Sequence, residues 1–359
     1  MAIPRSWTQL CALPPQRLQR LADTSLAQHL RQELVPFSPW VQRAYRERGL
    51  QPKQFSGVDA LNALPLTSLE DLAREPESFQ LVANPRALRE HWPFGRKLAL
   101  ALSGGKGGQL LTQSYGMRAS WRVPVQGSDV WLRGTAQCLD ALAQSGARSY
   151  AVLGLDKPGD RILLAAPLGT PSREAWTGAR LASCVELHDT GGPTAADPST
   201  TANLLAESAA AGLIAEPAFV QAVLEAAGPN SLSKLRTLAL VGKLATPELK
   251  GQLRELARSK GAREALASNI FTPELTRLVF PEAPAEPDAS SGQVLFPDLA
   301  HFALLEPRGE LVFTTACQRG TALVRQRLGV FAPGGMSAEP CPLSGRSLPR
   351  LQGKLHVEL

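Results

Sequence analysis

The sequence holds no run approaching about 20 consecutive apolar residues, so nothing in it reads as a membrane span. Its first residues, Met1-Ala-Ile-Pro-Arg-Ser-Trp7, place no apolar stretch behind Arg5, so no signal peptide is expected and the cytoplasm is the default location. The five cysteines (Cys11, Cys138, Cys184, Cys317, Cys341) are odd in number, scattered and without a CxxC pair. That excludes a disulfide framework and an ordinary zinc knuckle. The five histidines are equally dispersed, with no HExxH, so no metal site of sequence neighbours is expected. A formal net charge of +6 raises the question of nucleic acid. There is no dense Lys/Arg run, however, and acids interleave with the bases, as between Arg43 and Arg48, so nucleic acid is not an expected partner. Internal repeats and long low-complexity tracts are also missing.

What is present is core-forming material. A chain of 359 residues, 44% hydrophobic and 19% charged, supports two or three domains, or one large α/β unit with an appendage. Residues 1–95 read as a helical region: Leu26, Leu30 and Leu34 recur at helical spacing, and Pro36 and Pro39 break the run. A short helix is expected from Pro39 to Gly49, and Thr67 with Glu70 suggests a capping box. Residues 97–101 suggest a buried strand, entering the glycine-rich turn 103–108 and leaving it as an extended segment, 109–113. Arg161 to Ala166 reads as a buried strand and residues 189–200 as a loop. Residues 202–211 then suggest a helix, 212–215 a strand, 217–227 a helix and 237–241 a strand, before a helix capped by Thr246 that runs from Pro247 to about Ser259. This alternation argues an α/β fold with helices packed on a mostly parallel sheet over residues 96–280. Residues 281–359 open on a Pro-rich excursion and read as a small β-rich subdomain, with little regular structure expected after Phe331.

Three stretches carry chemistry. Ser103-Gly-Gly-Lys-Gly-Gly108 lets several backbone N–H groups converge on a phosphate, with Lys106 adding charge. It is neither a Walker loop nor a dinucleotide GxGxxG, and a ligand-free hairpin loop would read the same way. Glu274, in Ser268-Asn-Ile-Phe-Thr-Pro-Glu274, offers a hard oxygen ligand for Mg²⁺, or is simply a solvated surface residue. Residues 308–315 and 322–329 read as two strands, the second bearing Arg325 and Arg327, and a plain β-ribbon fits them equally.

Together and in this order, the segments resemble the adenylate-forming superfamily, most closely its phenylacetate–coenzyme A ligase branch. Leu64-Pro-Leu-Thr-Ser-Leu-Glu-Asp-Leu72 is similar to that branch's LPLTTKEDL segment, and Pro36 to Tyr45 to its SPFY helix region. Leu102 to Gln109 falls where the family has its phosphate loop, and Leu235 to Gly242 matches the strand leading to the adenine pocket. Ile270 to Glu274 sits where YGSTE belongs. Gly309 to Thr315, Leu323 to Val330 and Gly345 to Lys354 resemble the family's GELVVTT, LIRYRTGD and hinge-approach segments.

The resemblance implies ATP-dependent activation of a carboxylic acid through an acyl-adenylate, then transfer to a thiol of coenzyme A or a carrier protein. By position it assigns Ser103, Gly104, Gly105, Lys106 and Gly107 to the phosphates and Glu274 to Mg²⁺, with Lys106 and Glu274 as the catalytic pair. Ile270, Phe271 and Thr272 would border the nucleotide, and Arg325 and Arg327 would support it. The departures cluster on the nucleotide side. Gly105 and Lys106 replace two threonines, Ile270-Phe271 replaces Tyr-Gly, and Val330 replaces the aspartate that accepts both ribose hydroxyls. Losing such a charged acceptor costs about 1.5–3 kcal/mol of binding. The family's C-terminal lid domain, with its adenylation lysine, is also expected to be missing. The reading favoured by these losses is a pseudoenzyme-like member that binds an acyl compound, a nucleotide or a partner protein. Two others stay open: an active ligase with a lid supplied in trans, and an acyl-protein synthetase using Cys341 or Cys317.

Overall fold

The computed structural model describes residues 7–50, 58–83, 94–102, 109, 113–125, 128–283, 292–316, 318–341 and 344–357. Helices α1 (Pro15–His29), α2 (Pro39–Glu47) and α3 (Leu69–Arg74) precede α4 (Phe94–Leu102). Next come α5 (Ala136–Val152), α6 (Arg173–Ala179), α7 (Pro198–Glu207), α8 (Pro217–Ala226) and α9 (Pro247–Ser259). Proline opens α1, α2, α7, α8 and α9, where its missing N–H costs nothing.

An antiparallel ribbon, β1 (Met117–Val125) with β2 (Ser128–Thr135), leads into α5. The main sheet follows: β3 (Arg161–Leu164), β4 (Glu186–Asp189), β5 (Gly212–Ala215), β6 (Thr237–Leu240), β7 (Leu266–Phe271) and β8 (Phe280–Pro281), in spatial order β4-β3-β5-β6-β7-β8. All its pairings are parallel except β7 with β8. Successive side chains of a strand face opposite ways, and the burial follows that period. Ile162, Leu164, Ile214, Ala239 and Ile270 enter one core, with Tyr150 of α5 and Trp176 of α6. Leu163, Leu213, Ala215, Leu238 and Leu240 enter another, with Leu205, Val223 and Leu253 of α7, α8 and α9. Burial on both faces is why the sequence shows short continuous apolar runs, such as Leu213-Ile-Ala215 and Leu238-Ala-Leu240, rather than alternation.

The later strands are β9 (Gln293–Val294), β10 (Ala300–Leu305), β11 (Glu310–Thr315), β12 (Gln326–Phe331), β13 (Met336–Ser337), β14 (Arg350–Leu351) and β15 (His356–Val357). They form a four-stranded sheet, β10-β11-β12-β15, and a three-stranded one, β13-β14-β9. The first core continues from the main sheet into these strands and into the N-terminal helices through Leu18, Leu30, Phe37 and Trp40.

Three expectations are corrected. Residues 97–101 are not a strand but part of α4, and Gln109 and Gln113 are helical rather than extended. A short Leu/Ala run is ambiguous between the two periods, and leucine and alanine are strong helix formers. The two-stranded ribbon lies instead at β1–β2. The capping box belongs to Ser68 and Asp71, each side chain bonded to the other's backbone N–H. Thr67 is occupied elsewhere, since its hydroxyl donates to the carbonyl of Val324 at 2.8 Å and so ties the N-terminal region to the approach to β12. Finally, the loop expected over 189–200 ends sooner, because α7 begins at Pro198 with Asp197 as its cap; the little regular structure expected after Phe331 amounts to three two-residue strands, β13, β14 and β15.

A π-helical turn, Leu30–Leu34, follows α1 and turns Glu33 inward. Tyr115 donates its hydroxyl to Glu33, and Arg319 donates to the same carboxylate at 2.7 Å while lying 4.8 Å from the Tyr115 ring centroid. One turn before Glu33, buried His29 has no partner for Nε2. Burial above all, with Arg319 assisting against the attraction of Glu33, lowers its pKa from 6.5 to about 4. The unfolded chain therefore takes up this proton first. Stability is full above about pH 6.5 and drains as the pH falls towards about 4, by up to about 3 kcal/mol. Urea unfolding of the wild type should show that acid-side loss, and His29→Leu should flatten it. A second check concerns the α5–α6 contact, where a Cβ on Gly146 would stand 2.2 Å from the carbonyl oxygen of Ala175. Gly146→Ala should lower the unfolding free energy by about 1–3 kcal/mol through overpacking, despite alanine's better helix propensity.

Candidate functional site

A parallel sheet exposes useful polar groups at the carboxyl ends of its strands, above all where the chain leaves one strand to opposite sides. Here that point is β3, flanked by β4 and β5. The rim is braced by polar contacts. Buried Arg173 donates to the carbonyl of Ala166 at 2.7 Å and to the carboxylate of Asp189, joining the ends of β3 and β4. Asn269 of β7 accepts from the N–H of Ala245 at 2.8 Å and donates to its carbonyl at 2.9 Å, fixing the loop after β6. Glu282 accepts from the Asn269 N–H at 3.0 Å, and both its oxygens accept from the Lys250 ammonium at 2.8 Å, so the end of β7 is also tied to α9.

The residues expected from sequence meet this rim unevenly. Ser103, Gly104, Gly105, Lys106 and Gly107 lie outside the described residues. Ile270 and Phe271 are buried at the end of β7, where the Phe271 ring stands 6.3 Å from that of Phe280 in an aromatic cluster. Thr272 follows with a buried hydroxyl that has no partner, and Glu274 is exposed on the next turn. Arg325 and Arg327 lie at the start of β12, committed to other parts of the chain. Arg325, at a left-handed φ of 48°, donates to the carbonyls of Asn62 and Leu64. Arg327 forms a forked pair with Glu310 on the adjacent strand, at 2.7–3.1 Å. Val330 is buried on β12 and pairs with Val357. Of the cysteines considered as acyl carriers, Cys341 is buried and Cys317 lies outside the described residues.

Sequence reading missed a cleft beside Glu274. It is narrow, with room of about 20 Å³, enough for about one water, and lies between the β1–β2 ribbon, α5, the turn after β7 and residues 318–323. Leu132, Leu142, Leu275 and Leu323 give it an apolar lining, with Trp121 and Arg277 also facing it. No local pattern marked Arg277, whose ion-pair partner Glu174 lies 103 residues away and whose ring neighbour Trp121 lies on β1. Cys138, also lining the cleft, has its thiol pKa pushed up by burial and carries no charge there.

No family model matches the sequence, and neither does any curated protein. Solved structures do match. Against 2-hydroxyisobutyryl-CoA ligase bound to 2-HIB-AMP and CoA in its thioesterification state, the TM-score is 0.73 over 98% of this chain and 71% of that one, at 16% identity. Against an open conformation of that ligase the TM-score is 0.71, covering 98% and 78% of the two chains, again at 16% identity. The chain shares the fold of that CoA ligase.

The two ends of the rim differ in how they would suit a nucleotide. Mg²⁺ commonly needs only one or two carboxylates beside phosphate oxygens and water. Glu274, exposed at the rim, suits that role; among the described residues no cluster of three metal-ligating side chains occurs. The nucleoside end fits poorly. Val330 offers no acceptor to a ribose, and Ile270 and Phe271 are sequestered in the core. The Asn269 clamp is the rim's main brace, and breaking it leaves the N–H and carbonyl of buried Ala245 without these partners. Asn269→Leu should therefore cost about 2–4 kcal/mol in urea unfolding, the loss of two buried hydrogen bonds.

Proposed function

We propose that this protein is an acyl-binding relative of the ATP-dependent acid-activating ligases, in which adenylation is weakened or lost. The fold match along nearly the whole chain supports acyl activation as the ancestral chemistry. The motif order from Leu64 to Lys354 favours the phenylacetate–coenzyme A ligase branch within it. One observation carries the weakened reading: the side chains aligned with the nucleoside pocket are engaged in the chain's own structure. Arg325 ties down the segment at 62–64, Arg327 pairs with Glu310, and Ile270, Phe271 and Val330 are core residues. The ligand of such a protein is a carboxylic acid or acyl group, with a coenzyme A or carrier-protein thiol, or a partner protein, as the second component.

The alternative, an active ligase, is favoured by Glu274 at the rim and by the lysine of the glycine-rich loop, which together could hold Mg²⁺ and phosphate. The acyl-cysteine variant is disfavoured by the burial of Cys341. No helix among the described residues is long and apolar enough to cross a membrane.

Calorimetric titration with Mg-ATP, for the wild type and Lys106→Ala, separates the readings. Binding no tighter than about 1 mM, with pyrophosphate exchange at background across aryl and fatty acids, is expected. Micromolar binding abolished in Lys106→Ala, with acid-dependent exchange, would establish the active ligase instead.

A further inference from the structure

Among the described residues, helix α4 leaves a row of large apolar side chains in solvent. Phe94, Leu98 and Leu102 are 79%, 45% and 76% exposed. Spaced by four, they are neighbours on one face of the helix and span about 12 Å of its axis, at about 1.5 Å per residue. Other strongly exposed apolar side chains, such as Val82, Leu168 and Leu181, stand singly in loops. Single ones are normal on any protein surface, whereas a contiguous row marks an interaction site.

The sequence around this row carries charge of one sign. From His91 to Ser128 it has Arg96, Lys97, Lys106, Arg118 and Arg122 and no Asp or Glu. Of these, Lys97 is half-buried on α4, Arg118 is exposed at the start of β1, and Arg122 pairs with Asp129 at 2.8 Å. The whole chain sets 38 Lys and Arg against 32 Asp and Glu, a net charge of +6.

Size decides which kind of partner fits. A stable protein–protein interface takes about 20–30 residues a side, and three side chains on a nine-residue helix supply too little. A lipid surface demands no shape complementarity. A short helix lies in the headgroup layer with its apolar face down, held by the apolar area it buries and by the attraction of basic groups to anionic headgroups.

We infer that α4 seats this protein peripherally on an anionic lipid surface, with Phe94, Leu98 and Leu102 inserted among the headgroups. The contact spans no bilayer, and it does not depend on the acyl-binding reading.

The test is co-sedimentation of the full chain with vesicles of phosphatidylcholine alone and of phosphatidylcholine containing about 30% phosphatidylglycerol. Binding to the mixed vesicles should be about tenfold tighter or more. It should weaken as salt is raised, since at physiological ionic strength charge is screened beyond about 8 Å. Leu98→Glu, and Phe94→Ser combined with Leu98→Ser, should each weaken binding about tenfold or more. Leu181→Glu adds the same charge on a leucine 85% exposed outside the helix, and should change binding far less. Because Phe94 and Leu98 face solvent, these changes spare the fold, which thermal melting verifies. No binding to the mixed vesicles, equal binding to both kinds, or undiminished binding in folded Leu98→Glu or the double serine variant would overturn the inference. A loss in Leu181→Glu as large as in Leu98→Glu would reduce the contact to net charge and overturn it too. So would a concentration-dependent dimer in sedimentation velocity that Leu98→Glu breaks up, which would assign the row to a second copy of the chain.

Discussion

Everything in this molecule is arranged around a parallel sheet that is covered on both faces. Strands β3, β5, β6 and β7 send alternate side chains into two separate cores, so the strand interiors leave little room for a reactive group. Chemistry is confined to the loops beyond the strand ends, where backbone groups are not consumed by the ladder. The helices on either side differ in consequence. Helices α7, α8 and α9 cover one face with a self-contained core. The core beneath α5 and α6 continues through the aromatic cluster of Phe271, Phe280, Phe296 and Phe302 into the C-terminal strands and the N-terminal helices.

Arginine is what joins these parts. Arg148 reaches Asp298 through a two-pronged contact at 2.7 and 2.8 Å and lies beside the touching rings of Trp7 and Phe296. Arg319 meets Glu33, Arg173 meets Asp189, and Arg325 gathers the carbonyls near residue 64. A planar guanidinium can satisfy several acceptors while stacking on an aromatic face, which suits it to seams between layers. Arg277 does the same, pairing with Glu174 at 2.7 Å while its guanidinium lies 5.3 Å from the Trp121 ring centroid. Arg325 and Arg327, at positions the resemblance assigns to the nucleotide, make contacts of this kind with the chain itself.

The local signals were legible where one residue type fixes one geometry. Thr246 caps α9 through its side chain, with Pro247 in the first turn, as its sequence indicates; Asp197 caps α7 in the same way, but within residues that read as a loop. The short apolar-rich segments at 212–215 and 237–240 are strands, as their length and flanking turns indicate. Legibility failed where two geometries compete for one pattern. Residues 97–101 satisfy both periods, and Thr67 and Ser68 are equally good caps until the carbonyl of Val324 takes the Thr67 hydroxyl.

The sequence alone determined the α/β class, the order of helices and strands from 202 to 259, and the resemblance to acid-activating ligases, because propensity, capping and motif order are written locally. Only the tertiary structure decided which carboxylate or carbonyl each buried arginine meets. Pairing depends on partners brought from afar: Glu174 lies 103 residues from Arg277, and Glu33 lies 286 from Arg319. No window of sequence contains both members of such a pair, so the cleft beside Glu274 exists only once the sheet, the ribbon and the loop at 318–323 have closed around it.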